Sequence, residues 1–239
     1  MTADITEDRF LGGRVVAAQP THGFRAGHDS VLLAAAVPAN DGERVLELGS
    51  GAGIASLCLA ARVAGCGIMG IEIDPGLVAL ANGNAARNAM EARVRFTVGD
   101  AAAMVMEDAP FDHVFFNPPF HPNTGQVSSS PARDRAMRGD AIVEWTRRAL
   151  ELVKVGGTVT AILRADRLEE FQAAAQGQAL FTLSLLPRAG EPPKRVITRI
   201  VKGRRGQNIE RPGLVLHKAD GSPTLAAEAI LRNAARLDL

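Results

Sequence analysis

The chain has 239 residues, of which 46% are hydrophobic and 22% charged, and a formal net charge of +1, as in ordinary soluble domains. No apolar run approaches the roughly 20 residues of a membrane-spanning helix, and residues 1–14 lack the apolar segment of a signal peptide. The two cysteines, Cys58 and Cys66, give neither a disulfide framework nor metal-ligand spacing. We therefore expect a cytoplasmic protein with no metal site.

The N-terminal part of the chain predicts a small hairpin followed by a helix. Residues 10–18 are typical of a hairpin that turns at two adjacent glycines, and residues 29–37 of a helix ended by proline. A further helix is expected over residues 223–235. The expected division of the chain is residues 1–40 as a hairpin and helix covering a cofactor pocket, 41–218 as the core, and 219–239 as a helical tail.

From residue 44 onward, predicted strands and helices alternate. This alternation is typical of an α/β fold with a mostly parallel sheet and helices on both faces. The loop over residues 121–140 is long for a compact domain, and such loops are commonly functional. Seven core strands are predicted, over residues 44–48, 67–73, 94–98, 112–117, 158–163, 180–186 and 195–201, with helices over 54–63, 75–88, 141–152 and 168–175.

The strongest local motif is Glu-Leu-Gly-Ser-Gly-Ala-Gly over residues 47–53, where a strand runs into a glycine turn and a helix. Glycines let the backbone turn sharply and let a ligand approach it closely. The dinucleotide fingerprint requires glycine where this chain has Ile54, which disfavours a dinucleotide-dependent reductase. An acid before the turn suits the sulfonium and amino groups of S-adenosylmethionine better than a pyrophosphate. The residues expected to hold this ligand are Glu47, Gly49, Gly51 and Gly53.

Two further acids stand at predicted strand ends. Glu72 follows Gly49 at close to the roughly 20-residue spacing at which an acid meets ribose hydroxyls, and Asp100 could accept a hydrogen bond from the adenine amine. Ile73 and Ala101, which follow these acids, are included in the predicted site. Because ligands bind at the carboxyl ends of parallel strands, the three acids together indicate an S-adenosylmethionine site.

The fourth core strand ends in Asn117-Pro118-Pro119-Phe120. Two prolines cannot continue a central strand, so the chain leaves the sheet in a stiff turn. The Asn117 side chain and the Pro118 carbonyl could accept from a planar NH₂ group, and Phe120 offers a face for stacking a base. We therefore expect these four residues to be catalytic, with Asn117 also bordering the cofactor.

At this point the chain resembles the amino-methyltransferases that carry an Asn-Pro-Pro-aromatic motif. That group includes adenine-N6 methylases of DNA and RNA, guanine-N2 methylases of rRNA and the glutamine methylase of release factors. Residues 19–29, Gln-Pro-Thr-His-Gly-Phe-Arg-Ala-Gly-His-Asp, followed by Val-Leu-Leu-Ala over 31–34, resemble the bacterial tRNA1(Val) adenine-N6 methyltransferase family. The resemblance implies a Rossmann-like class I methyltransferase with a small N-terminal lid, and an adenine in the anticodon loop of a tRNA as substrate. It also implies that Phe24, Arg25 and Asp29 help to form the cofactor site, although Asp29 could instead cap its helix.

The sequence is also compatible with other functions. The same motif serves methylation of rRNA guanine N2 or of a protein glutamine, although the release-factor enzymes usually add a helical domain before the glycine loop. A non-catalytic, cofactor-binding RNA-recognition module is a further alternative, which the intact tetrad disfavours. No general base is evident, and none is required if the amine attacks directly and loses its proton afterwards. We expect His113 to be structural, His121 to lie at the surface and Trp145 to lie in the core.

Basic residues are concentrated in one segment near the C-terminus. Residues 187–218 contain nine Lys or Arg against two Glu, which favours binding to a polyanion such as RNA. The alternative is a solvated edge strand, since Lys and Arg also protect sheet edges from aggregation. The oligomeric state, monomer or homodimer, stays open. Residues expected to form one phosphate-binding surface around the pocket mouth are Arg133, Arg135, Arg138, Lys194, Arg195, Arg199, Lys202, Arg204 and Arg205.

Overall fold

The computed structural model describes residues 4–23, 25–104, 106, 109–119 and 141–239. No helix within these ranges is long and apolar enough to span a membrane. The strands are β1 (Ile5–Phe10), β2 (Val15–Pro20), β3 (Arg44–Leu48), β4 (Gly67–Glu72), β5 (Val94–Val98), β6 (Phe111–Phe116), β7 (Val153–Arg164), β8 (Gln178–Leu186), β9 (Arg195–Arg205) and β10 (Ile209–Val215). The α-helices are α1 (His28–Ala36), α2 (Ile54–Arg62), α3 (Pro75–Arg87), α4 (Ala141–Leu152), α5 (Leu168–Ala174) and α6 (Leu225–Asn233).

Eight strands form the central sheet in the order β10-β8-β9-β7-β6-β3-β4-β5. Strands β5, β4, β3, β6 and β7 run parallel, and β9 is antiparallel to both of its neighbours, β7 and β8. The prediction of an α/β, mostly parallel sheet is confirmed, but the count of seven core strands is wrong. The eighth strand, β10, pairs with β8 at the outer edge and contains Pro212 and Gly213, residues that disfavour strands.

Apolar side chains cover both faces of this sheet. Helices α1, α2 and α3 supply one layer and α4 and α5 the other. Trp145 of α4 is buried and meets Phe116 of β6 edge-on, with ring centroids 5.9 Å apart, so its predicted place in the core is confirmed. This packing fixes the ends of the central strands, where the candidate site lies.

The N-terminal strands β1 and β2 form a separate antiparallel hairpin, with Ile5 opposite Pro20 and Phe10 opposite Val15. A short 3₁₀ turn over Leu11–Gly13 joins them. The predicted hairpin is therefore present, and it is longer than residues 10–18. The C-terminal helix α6 is also present, within the predicted 223–235.

Candidate active site

The predicted site segments meet along one edge of the sheet, which we call the site edge. It is formed by the carboxyl ends of the parallel strands, where Leu48 of β3 pairs with Ile71 of β4 on one side and Phe116 of β6 on the other. The chain moves outward from β3 to β4 and β5 and then returns to β6 on the opposite side of β3. Such a reversal of strand order opens a crevice at the strand ends, where ligands bind in open α/β sheets.

The glycine turn after β3 has two different requirements for glycine. At Gly49, φ is +67° and an added Cβ would lie 2.4 Å from the Trp145 ring, so the close approach to α4 excludes a side chain. At Gly51, φ is +55° but an added Cβ would meet no atom within 4 Å among the described residues. Gly53, the third predicted residue, also has a positive φ and starts α2. An added Cβ at Gly53 would lie 2.6 Å from the Phe96 ring, so the turn packs on the core at Gly49 and Gly53 and presents open backbone at Gly51.

Glu72 holds the turn against the end of β4. One carboxylate oxygen accepts the N–H of Gly51 at 2.9 Å, and the other accepts the N–H of Asp74 at 3.0 Å. Each oxygen keeps a second lone pair, so the carboxylate can still accept two hydroxyl hydrogens. This geometry suits the ribose role predicted for Glu72.

Glu47 has a different position from the open acid expected by the motif. It is 4% exposed, and its carboxylate accepts hydrogen bonds from the hydroxyl and backbone N–H of Ser56 in the first turn of α2. Burial raises its pKa to about 8, and the nearby charge of Glu72 acts in the same direction, while the two bonds from Ser56 oppose it. In this structure Glu47 therefore anchors the start of α2 below the glycine turn.

The loop after β5 brings Asp100 to the same edge. The Gly99 N–H bonds to the backbone carbonyl of Glu72 at 3.0 Å, and the Asp100 carboxylate accepts the N–H of Ala102 at 3.0 Å. Ala101 is buried and Ile73 is half-buried. These residues form the side of the crevice beyond Glu72, which is where an adenine ring was predicted.

Asn117 follows β6 directly, beside the glycine turn. Its side-chain oxygen is buried, and no hydrogen-bond donor in the described part of the chain reaches it. A buried amide oxygen without a partner is costly, so this atom has an acceptor position ready for a donor from a ligand. Pro118 is buried and Pro119 half-buried; Phe120 and His121 lie outside the described residues.

The hydroxyl of Ser50, in the glycine turn, is a second buried atom of this kind. Among the described residues it has no hydrogen-bond partner, and Ser50 is 6% exposed. The motif predicts roles for its glycines and acids, and no local pattern distinguishes this serine from an ordinary turn residue. Two unpartnered polar atoms, on the adjacent ends of β3 and β6, therefore mark the centre of the site edge.

Side-chain hydrogen bonds attach the lid segment, residues 19–29, to the N-terminal hairpin. Gln19 is buried; its amide accepts the N–H of Ala26 and donates to the Ala26 carbonyl and to Asp8. Arg25 donates to the same Asp8 carboxylate at 2.6 Å and to Thr6 and Pro20. The Arg25 guanidinium is thus bound to the hairpin in this structure, so its predicted clamp on the cofactor carboxylate stays a prediction. Phe24 lies outside the described residues.

Asp29 pairs with the basic strand. Its carboxylate accepts from Arg195 of β9 at 2.9 Å, and the residue at the N-cap of α1 is Gly27, without a side-chain cap. The alternative that Asp29 caps its helix is therefore wrong. The ion pair places the start of α1 beside β9 at the site edge.

The sequence did not predict the role of two asparagines, Asn84 in α3 and Asn88 at its C-cap, which dock the hairpin. Asn84 accepts the N–H of Ala18 and donates to the carbonyls of Ala18 and of Ala52 in the glycine turn, at 2.8, 2.9 and 3.0 Å. Asn88 repeats the pattern one turn later on Val16, at 2.9 and 2.8 Å. Their spacing of four residues places both on one helix face, so they satisfy the free backbone edge of β2 as a neighbouring strand would.

The predicted phosphate-binding surface is divided by the direction of β9. Arg195 pairs with Arg164 at the carboxyl end of β7, so Lys194 and Arg195 lie at the site edge. Arg205 pairs with Gln178 at the start of β8, so Lys202, Arg204 and Arg205 lie toward the opposite edge, the far edge. The prediction that they flank the pocket mouth is wrong, because an antiparallel strand carries its two ends to opposite edges of the sheet.

Arg199 also departs from its predicted role. It is 6% exposed and donates to the Ala36 carbonyl at the end of α1. Burial lowers its pKa to about 10, with a contribution from the positive charge of Arg236. A buried guanidinium cannot reach phosphates, so Arg199 is a helix-terminal partner. Arg133, Arg135 and Arg138 lie outside the described residues.

His113 is structural, as predicted. Its ring nitrogens lie 2.8 Å from the hydroxyl of Thr158 and 3.0 Å from the carboxylate of Glu43. Burial lowers the pKa of its imidazole despite the carboxylate. No group of three or more His, Cys, Asp or Glu side chains that could hold a metal ion occurs within the ranges described.

Comparison with known proteins agrees with this geometry. Residues 25–138 match the family model "Methyltransferase small domain". A tRNA1(Val) (adenine(37)-N6)-methyltransferase of Aeromonas hydrophila is 31% identical over 83% of this chain and 85% of its own length. The chain belongs to this methyltransferase family. It is an S-adenosylmethionine-dependent enzyme with the class I methyltransferase fold.

Two other relatives bear on the fold and on the core of the site. A predicted O-methyltransferase from Agrobacterium tumefaciens, solved by crystallography, superimposes with a TM-score of 0.75 at 24% identity, covering 88% of this chain and 99% of its own. The release factor glutamine methyltransferase of Rhodospirillum rubrum is 41% identical, but over only 38% of this chain and 27% of its own length. The first supports the fold, and the second shows a likeness limited to part of the domain.

The site edge fits S-adenosylmethionine. The open backbone at Gly51 leaves room for a ligand, and Glu72 keeps acceptor capacity for hydroxyl groups. We expect Glu72 to hold the ribose and Asp100 the adenine amine.

Proposed function

We propose that this methyltransferase methylates the N6 amine of an adenine in the anticodon loop of a tRNA. The observation that carries the proposal is the buried, unpartnered oxygen of Asn117 beside the glycine turn. An NH₂ group offers two hydrogens, one for that oxygen and one for the Pro118 carbonyl, whereas a hydroxyl offers one and a carbon acceptor none. The target base is expected to leave its stack to enter the crevice, as chemistry on a base requires.

The residues of the chain would act by positioning. S-adenosylmethionine supplies an electrophilic methyl group on a sulfonium. The Asn117 oxygen and the Pro118 carbonyl would each accept one hydrogen of the NH₂ group, so that the nitrogen electrons point toward that methyl. The nitrogen held by Asn117 and Pro118 would take the methyl group as the bond from that methyl to sulfur breaks, and the methylated amine would then release a proton to solvent. Orientation of the two reactants supplies most of the rate gain.

The choice of RNA over protein rests on the extent of the likeness. The tRNA methyltransferase relative aligns over 83% of this chain, whereas the glutamine methyltransferase relative aligns over 38%. An rRNA guanine or a glutamine amide would satisfy Asn117 equally well. These two acceptors are therefore separate arms of the test below.

A tRNA substrate also fits a cytoplasmic location. Both cysteines are free and buried, as is usual in a reducing compartment. We include this location in the proposal.

The test is methyl transfer from labelled cofactor into total RNA, DNA and protein, followed by nucleoside analysis. We expect label in tRNA as N6-methyladenine. Asn117→Ala should lower kcat by at least about 100-fold, since it removes the acceptor that orients the amine, and should change cofactor affinity by less than about twofold. Asn233→Ala, an exposed asparagine of α6, is the control. Label in protein or in rRNA guanine, or full activity of Asn117→Ala, would contradict the proposal.

A further inference from the structure

Helix α4 supports two sides of the cofactor site. The ring of Trp145 lies against Gly49 of the glycine turn, where an added Cβ would be 2.4 Å from it. Further along the helix, Arg148 donates to the backbone carbonyl of Met104 at 2.6 Å. Side chains three residues apart lie on the same helix face. One face of α4 therefore reaches both the glycine turn and the segment that carries Asp100.

That segment, residues 100–104, follows β5, and we call it the β5 loop. The backbone carbonyl of Asp100 accepts the N–H groups of Ala103 and Met104 at 3.1 and 2.8 Å, and its carboxylate accepts the N–H of Ala102 at 3.0 Å. These three bonds are internal to the loop. They fix the shape of the turn, but they do not fix its distance from α4.

A cavity of about 320 Å³ lies between the β5 loop and α4. Asp100 and Ala103 line one wall, and Trp145 and Arg148 line the other. Met104 packs on the core beneath the loop, but side-chain packing leaves the outer gap open. The guanidinium of Arg148 crosses from the helix to the loop beside this gap. The position of the outer side of the loop therefore depends on this hydrogen bond.

The Arg148 side chain is itself held in place. Its other terminal nitrogen donates to Glu151, in the next turn of α4, at 2.6 Å. The side chain is 20% exposed, so its bond to Met104 is mostly shielded from water. Hydrogen bonds from a charged donor are shorter and stronger than those between neutral groups. Arg147, the preceding residue, is exposed and lines the same cavity.

We propose that Arg148 is a positioning residue for the cofactor, which sets the recognition of adenine by holding the β5 loop, and with it Asp100, at the crevice. The Asp100 carboxylate is expected to accept a hydrogen from the adenine amine, and a hydrogen bond weakens steeply with distance and angle. Without the bond to Met104, the outer side of the loop can move away from α4. The inference concerns the base of the cofactor, so it holds whichever amine the enzyme methylates.

The experiment compares binding of S-adenosylhomocysteine with that of S-inosylhomocysteine, in which a carbonyl replaces the adenine amine. Titration calorimetry gives the ratio of the two affinities. The parent should bind the adenosyl compound more tightly by about tenfold or more, the equivalent of one hydrogen bond to a charged acceptor. Arg148→Met keeps a long side chain without donors and should lower the ratio to about threefold or less.

Two further variants act as controls. Arg148→Lys keeps a charged donor for the Met104 carbonyl and should retain most of the preference for the adenosyl compound. Arg147→Met removes the same charge from the neighbouring exposed position and should leave the ratio unchanged. A role in stability alone would weaken both ligands equally in Arg148→Met, without changing the ratio.

A double-variant cycle tests whether Arg148 acts through Asp100. Asp100→Ala alone should abolish the preference, and Arg148→Met in that background should lower the ratio no further, because two residues that act as a unit are not additive. Thermal unfolding of each variant confirms that it is folded. If Arg148→Met does not fold, Arg148→Gln takes its place, since the shorter glutamine does not span the gap, and the same ratio is expected.

The inference is overturned if the ratio is unchanged in Arg148→Met or in Asp100→Ala. An equal loss in Arg147→Met, or a further loss from Arg148→Met in the Asp100→Ala background, would also overturn it. The ratio is measured without a methyl acceptor, so a failure of the proposed function would leave it unaffected.

Discussion

At the scale of the residue, Glu72 connects the cofactor site to the backbone that forms it. Both of its oxygens already accept an N–H, from Gly51 and from Asp74. A glutamine there would therefore set an NH₂ group against one of these N–H groups, as well as losing the charge. Glutamine has nearly the same size and shape as glutamate, but at this position it could not accept both N–H groups.

Glu72→Gln should weaken binding of S-adenosylmethionine by about 1.5–3 kcal/mol, the typical cost of losing hydrogen bonds to a charged acceptor. Titration calorimetry measures the change directly. Glu91→Gln, at an exposed position before β5, provides the matched control with the same change in charge. Equal affinities in the two variants would show that Glu72 does not hold the ribose.

At the scale of the element, the hairpin depends on α3 for its attachment. Asn84 and Asn88 both bind the backbone of β2, but only Asn84 also binds the glycine turn, through the Ala52 carbonyl. Asn84 is 1% exposed, so no water would replace its bonds without rearrangement. Comparing a substitution of Asn84 with one of Asn88 therefore separates the bond to the glycine turn from the bonds to β2.

Asn84→Ala and Asn88→Ala should both loosen the hairpin, with faster amide exchange at Val16 and Ala18, because buried backbone groups lose partners at about 1–3 kcal/mol each. Only Asn84→Ala should also weaken cofactor binding, by about threefold to thirtyfold, since it releases the glycine turn. Hydrogen exchange and calorimetry on both variants test this difference. Equal cofactor affinity in the two would show that the link to Ala52 is without consequence for the site.

The sequence predicted the elements whose signals are local. The glycine turn, Glu72, Asp100 and the proline exit after β6 depend on neighbouring residues, and all lie at the predicted strand ends. Glu47 differs, because it is buried against Ser56 of α2. The role of Asn84 depends on a partner 66 positions away, which no local pattern reveals. The wrong position of Lys202, Arg204 and Arg205 came from the unknown direction of β9, because strand direction is set by tertiary pairing.

At the scale of the whole molecule, stability should depend on pH in two separate ranges. Glu47 has a pKa of about 8, raised mainly by burial, so the folded protein retains its proton where the unfolded chain has lost it. Asp112 has the opposite shift: burial alone would raise its pKa, but the Arg44 N–H and the Lys154 ammonium lower it. The first group lowers stability as the pH rises from about 4.5 to about 8, and the second lowers it as the pH falls below about 4.

Glu47→Gln should therefore flatten the decline of the unfolding free energy between pH 5 and pH 8 in the cofactor-free protein. The expected change is about 2–4 kcal/mol, since each unit of pKa shift corresponds to about 1.36 kcal/mol and the amide can accept the same bonds from Ser56. Asp112→Asn, the control, should leave this range unchanged and flatten only the acid side. Chemical denaturation at a series of pH values measures both curves. A slope between pH 5 and pH 8 that is the same in Glu47→Gln and the parent would mean that the buried carboxyl does not carry a proton, and that α2 is anchored by a charged Glu47.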